Sequence, residues 1–253
     1  MPRPRIIPVL LLTNGGLVKS ENFKNYNYIG DPINAVKIFN DLKADELVFL
    51  DVEATVNNRL IDSQLVTSIG EEANMPFAVG GGISTIEDIQ KVIHAGAEKV
   101  VICSAAVENP DFIRKAAETF GSSTICVCMD VKKKFLKGTR VYSHGGTKAS
   151  SYTPIEFAKL MQENGAGELI VQSIENDGAM KGYDLELIKS ISEVVTIPVI
   201  ALGGAATMKD VKSAHENGFV SGAAAGSMFV YKGTMKGVLI NYPEKEEVKR
   251  AFS

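Results

Sequence analysis

Val79-Gly80-Gly81-Gly82, followed by Val101-Ile102-Cys103-Ser104-Ala105, returns later in the chain as Leu202-Gly203-Gly204-Ala205, followed by Ala224-Ala225-Gly226-Ser227-Met228. Gly80 and Gly203 are 123 positions apart, and so are Ser104 and Ser227. Each copy closes an apolar, β-like run with glycines and then a hydroxyl. There, bare backbone N–H groups and a helix N-terminus can hold an anion. One such place in each half predicts a substrate with phosphates, or phosphate-like groups, at its two ends.

Working outward, short β-branched runs alternate with amphipathic stretches along the whole chain. Strands are expected at 6–11, 46–51, 77–80, 99–102, 124–129, 168–173, 198–201 and 222–225. Helix starts are marked by Asp31-Pro32, by Ser84-Thr85-Ile86-Glu87-Asp88 and by Thr207-Met208-Lys209-Asp210, which carry capping residues. Eight strands separated by helices in a chain of this length predict an α/β fold, a (β/α)₈ TIM barrel. The expectation is a single domain over 1–253, built of half-barrel repeats at about 1–120 and 121–253. An open doubly wound sheet would not need two four-strand copies.

Composition narrows the function. At 253 residues, with 45% hydrophobic and 23% charged residues, the chain reads as an ordinary globular protein. A net charge of −3 gives no electrostatic case for nucleic acid or for an anionic membrane. The apolar run from Ile6 to Leu12 behind the basic start Met1-Pro2-Arg3-Pro4-Arg5 is too short to span a bilayer and lacks a cleavage pattern. A cytoplasmic protein is expected. Cys103, Cys126 and Cys128 suggest no disulfide framework. Cys126 and Cys128 share a strand face with Asp130 and read as small buried hydrophobes, with no metal expected. His94 and His215 read as surface residues; His144 sits in a loop that could touch a substrate.

In such barrels chemistry sits at the carboxyl ends of the strands. That puts Asp51, Gly80 to Gly82, Ser104, Asp130, Ser173, Asp177, Gly203, Gly204 and Ser227 on the active face, and Arg5, Glu46, Lys99 and Glu168 on the opposite one. These last four charges open strands 1, 2, 4 and 6, and on their own read as a structural salt-bridge ring. The long insertion 131–151 contains Lys132-Lys133-Lys134, Lys137, Arg140 and Ser143-His144-Gly145-Gly146. It is expected to form a hairpin over the active face, with Ser143 and Gly145 candidates for substrate contact.

The stretches Asp45 to Asp51, Pro76 to Gly82, Ala105 to Pro110, Asp177-Gly178 with Gly182-Tyr183-Asp184, and Gly203-Gly204-Ala205 resemble the cyclase subunit of imidazole glycerol phosphate synthase, the HisF type. The resemblance runs from Arg5 to at least Phe229. It implies a partner, a HisH-type glutaminase docked at the barrel floor, whose ammonia travels through the barrel. Arg5, Glu46, Lys99 and Glu168 then correspond to the family's ammonia gate. Lys19, Asp51, Gly81, Gly82, Ser104, Ser143, Gly145, Gly178, Gly203, Gly204, Gly226 and Ser227 become the candidate substrate- and phosphate-binding residues. Asp130 and Asp177 become the candidate catalytic residues. The family's other catalytic aspartate, on strand 1, is here Leu11, which cannot carry a proton. Aligning 6–11 with 125–130 within this chain says the same: one run ends in an alkyl chain, the other in a carboxylate. Leu202, Ala179 and Cys103-Ser104 also depart from the family pattern.

The ammonia end is kept while the acceptor end is rebuilt, a combination that resembles the paralogues of sugar amidation in surface-polysaccharide pathways, where an acetamido group becomes acetamidino. The run Leu10 to Lys19 is similar to that branch. A nucleotide-linked N-acetyl sugar is therefore the expected acceptor. The histidine-pathway cyclase and a non-catalytic scaffold that activates the glutaminase stand as alternatives. No cofactor is expected, and no Walker-type loop is present.

Overall fold

The computed structural model describes residues 2–134, 138–233 and 236–252; Lys137 and Met1 lie outside the described residues. Eight parallel strands close on themselves: β1 (Arg5–Thr13), β2 (Leu47–Asp51), β3 (Phe77–Gly80), β4 (Lys99–Ile102), β5 (Ile125–Lys134), β6 (Glu168–Ser173), β7 (Val199–Leu202) and β8 (Gly222–Ala225). β8 pairs with β1 at Arg5↔Gly222, and β5 with β6 at Glu168↔Cys126, which closes the ring. Helices lie between successive strands. The fold is a (β/α)₈ TIM barrel.

Both faces of each strand are covered, which is why the strands read as continuous apolar runs rather than as alternating ones. Period-two geometry divides them. Ile6, Leu10 and Leu12 point outward into the layer beneath the helices, whereas Ile7, Val9 and Leu11 point into the barrel interior with Val48, Ala78 and Cys128. The helix starts form as the sequence indicates. Asp31 caps helix Pro32–Asp41 through the Asn34 N–H, and Thr85 with Asp88 forms a capping box on helix Ile86–His94. Asp210 likewise accepts from the Thr207 N–H and hydroxyl.

Three features differ from the sequence reading. First, the constant spacing of the two glycine loops is one residue off. β3 and β7 start at Phe77 and Val199, and their following N-caps are Thr85 and Thr207, so Gly80 corresponds to Leu202 and Gly81 to Gly203. The extra residue enters afterwards, where helix Met208–Gly218 outgrows helix Ile86–His94 and ends on Phe219 in a left-handed turn. Second, the stretch after β1 is an ordered hairpin, Gly16–Glu21 with Lys24–Gly30, whose first strand pairs back on β1 at Leu11↔Val18. Its turn, Asn22-Phe23, has positive φ at both residues, the geometry of a tight hairpin turn. Third, β5 continues past Met129 into a hairpin with Gly138–Ser143, placing Asp130 opposite Tyr142. The expected hairpin of the insertion is therefore present, and a second one stands beside it.

Candidate functional site

A cavity of 540 Å³ opens at the carboxyl ends of the strands. At its base lies Asp130, only 8% exposed. Its Oδ2 accepts from the Cys103 thiol at 3.5 Å and its Oδ1 from the Cys128 thiol at 3.7 Å. Burial pushes this carboxyl up to about 7; the two thiol hydrogen bonds work the other way, and the nearby charge of Asp177 adds to the rise. Leu11 occupies the matching place on β1, facing Leu50 on β2 as Asp130 faces Gln172 on β6. Leu11, Leu50, Leu202 and Cys103 pack together there. At its base the cavity thus presents the Asp130 carboxyl in an alkyl and thiol surround.

Asp177, from the loop after β6, is buried and fully engaged. Its Oδ2 accepts from the Ser20 hydroxyl at 2.8 Å and from the Phe23 N–H at 3.4 Å, and its Oδ1 from the Gln172 amide at 3.4 Å. The Asn22 amide also donates to the Ile174 and Glu175 carbonyls. These bonds hold the Gly16–Gly30 hairpin down over the cavity, and with it Phe23, Tyr26 and Lys19 reach the cavity wall. Lys19 is 4% exposed. Burial pushes its ammonium pKa down, only partly opposed by the charge of Asp177. Among the described residues no hydrogen bond or ion pair reaches this ammonium. It sits against Gly226, so closely that a Cβ there would be 1.9 Å from Nζ. A buried cation without a partner is costly unless an anion joins it, and Gly203, Gly204, Gly226 and Ser227 line the same wall.

The opposite wall holds Gly81, Gly82 and Ser104. Asp51 belongs to it, but as a brace. It takes Arg59 Nη1 at 2.5 Å and Nη2 at 3.1 Å, and the N–H groups of Glu53 and Ala54 at 3.1 Å each. Arg59, which sequence reading passed over, is thereby turned toward the cavity. No motif marks it; its position eight residues after the strand-end aspartate is the one available signal. Gly82 has φ of +68°, and a Cβ on it would lie 1.8 Å from the Arg59 carbonyl oxygen. Gly82→Ala is expected to cost about 2–4 kcal/mol of stability, read as a fall in the urea or thermal midpoint; an unchanged midpoint would contradict this geometry.

The second hairpin meets this wall through His144, whose N–H donates to Ser104 Oγ at 2.9 Å. His144 and Gly145 line the cavity. Ser143 does not. It is 1% exposed and lies behind His144, its hydroxyl 3.1 Å from Nδ1 of that ring. Gly178 lines the cavity beside Asp177.

At the other end of the barrel Arg5, Glu46, Lys99 and Glu168 form a ring of alternating charge. Arg5 bonds both Glu46 and Glu168, and Lys99 Nζ lies 3.0 Å from Glu46 and 3.2 Å from Glu168. Burial alone would lower both cations' pKa values, but the Glu168 and Glu46 charges outweigh it and raise them. Among the described residues no group of three or more metal-type ligands occurs, and no helix is long and apolar enough to cross a membrane.

The family model described as histidine biosynthesis protein matches residues 5–236. A protein of Leptospira interrogans named "Putative imidazole glycerol phosphate synthase subunit HisF" is 44% identical over the whole of both chains. One of Vibrio vulnificus, named "Putative imidazole glycerol phosphate synthase subunit hisF3", is 46% identical over 100% of this chain and 97% of its own. The "Imidazole glycerol phosphate synthase subunit HisF" of Alkaliphilus metalliredigens is 41% identical over 90% of each.

Proposed function

Because this chain belongs to the histidine biosynthesis protein family, in the HisF-type branch, we propose that it is the ammonia-accepting synthase subunit of a two-protein glutamine amidotransferase. A HisH-type glutaminase docks at the barrel floor. Ammonia passes the ring of Arg5, Glu46, Lys99 and Glu168, rises through the apolar interior and meets its acceptor beside Asp130. The acceptor is a nucleotide-linked N-acetyl sugar, held through its phosphates by Lys19 and the glycine loops. Asp130 moves the proton as the amide oxygen is replaced by nitrogen, and that oxygen leaves as water or, after activation by a phosphoryl donor, as phosphate. The setting is cytoplasmic.

One observation carries the choice of acceptor: Leu11 stands where a paired acid–base mechanism needs its second carboxylate, and its neighbours Leu50 and Leu202 supply no substitute. An amide acceptor brings a small apolar acyl group that such walls suit. The second reading, the histidine-pathway cyclase, draws its support from the names of the relatives. A pure scaffold would have no use for a buried, unpaired lysine over a formed cavity.

The test supplies the purified chain with ammonium and phosphoribulosyl-formimino aminoimidazole ribonucleotide, before and after Leu11→Asp, and separately with uridine-diphosphate acetamido sugars, the glutaminase, glutamine and ATP. The expected result is no imidazole glycerol phosphate from the wild type, a gain in Leu11→Asp, and an amidino product from a sugar. Wild-type cyclisation at ordinary enzyme rates would overturn the sugar reading.

A further inference from the structure

We propose that Cys103 and Cys128 are positioning residues for Asp130, one thiol clamping each carboxyl oxygen. Cys103 follows β4 as the N-cap of the short helix Ser104–Glu108, and Cys128 lies two residues before Asp130 on the neighbouring strand β5, so the two thiols approach from adjacent βα units. They are the carboxyl's hydrogen-bond donors among the described residues, at 3.5 and 3.7 Å. Both thiols are themselves held protonated, pushed well above the ordinary thiol value by burial and then by the Asp130 charge. They therefore act as donors and not as nucleophiles.

The clamp explains how one carboxyl can serve where a pair is usual. A thiol is a weak donor, so it orients the carboxylate without stabilising the anion as an amide or a hydroxyl would. Strong donors would drive Asp130 down toward the ordinary carboxylate range and leave it a poor acid. The other groups that act on the site come from two directions. Asp177, from the loop after β6, raises Asp130 by its charge. From the hairpin, the Tyr26 phenol is raised by burial and then by Asp177, Asp130 and Glu53, while Lys19 faces Asp177. Gln172, beside Asp130 on β6, is neutral and turned to Asp177. The thiols are thus the contacts that set orientation, with the distant charges as background.

The experiment titrates Asp130 by NMR in protein labelled with ¹³C at the aspartate carboxyl, assigned by loss of one signal in Asp130→Asn. Valine and threonine have the same shape and differ by one hydroxyl donor, so each cysteine is replaced by both in turn. Cys103→Val and Cys128→Val are expected to raise the Asp130 midpoint by about half to one pH unit each. The matching threonine variants return it to the wild-type value or below. Midpoints that are equal in the valine and threonine variants at both sites, or that fall in the valine variants, overturn the clamp. Two independent sites keep the test open if one valine fails to fold. Only the consequence for rate rests on the proposed function. If the NMR midpoint moves while the pH–rate profile stays still, proton transfer by Asp130 is overturned and the clamp stands.

Discussion

Asp130→Asn is expected to lower turnover by about 10²–10⁴ and to raise the melting temperature above neutral pH. Both effects come from the same burial. In the unfolded chain an aspartate titrates near 3.9; in the folded protein burial lifts Asp130 to about 7. The folded state therefore binds the proton more tightly than the unfolded one. Below pH 4 both states are protonated and nothing is lost. Between about pH 4 and pH 7 wild-type stability falls with rising pH, and above 7 the loss is constant. About three units at 1.36 kcal/mol each set a ceiling of roughly 4 kcal/mol, and relaxation around the carboxyl brings the expected gain to about 1–2 kcal/mol. Asparagine is neutral at every pH and escapes this cost. Melting curves of wild type and variant taken from pH 4 to 8 should diverge steadily and then run parallel. Curves with a constant separation would mean that Asp130 is not held near neutrality. Functional sites commonly trade stability in this way.

The barrel was legible because parallel strands covered on both faces must be apolar runs, and eight of them stand between capped helices. The floor ring was legible because Arg5, Glu46, Lys99 and Glu168 are charges set at strand starts, where no core position tolerates them singly. Leu11 was legible from the internal alignment with Asp130 alone. What escaped has physical reasons. The Gly16–Gly30 hairpin turns on Asn22-Phe23, and phenylalanine at positive φ is no turn signal. Its outer strand alternates asparagine with tyrosine at 25–28, but Tyr26 and Tyr28 are exposed, so that alternation does not mark a face buried in the core. The pairing of Asp51 with Arg59 links a strand end to a loop residue eight positions on, and that spacing by itself does not say that the carboxylate, which lines the cavity, also braces the loop. In the glycine loops identical letters, Gly80 and Gly203, are not equivalent strand positions; by strand starts and following caps Gly81 corresponds to Gly203.

Neutralising the floor ring should separate a structural role from the proposed role in ammonia entry. Glu46 and Glu168 are nearly buried, and each is held by both cations. Arg5→Met leaves two carboxylates with Lys99 alone, and breaking a buried pair costs about 3–5 kcal/mol. The partial exposure of Arg5 places the expected loss at the lower end. Replacing all four residues by methionine or leucine removes the charges together and is expected to be neutral or stabilising, because no desolvated ion remains unpaired. In the wild type Lys99 is raised above its ordinary value. Its share of the ring's stability is therefore complete below about pH 10 and is lost as pH climbs through the higher folded value. The all-apolar variant should lack that alkaline loss. Under the proposed function it should also keep turnover with ammonium while losing the turnover driven by glutamine and the glutaminase, since ammonia no longer meets a polar entry. Equal retention of both activities would leave the ring a structural seal. Equal loss of both, in a protein with unchanged melting behaviour, would mean that the floor acts on the chemistry at the opposite face and not on ammonia entry.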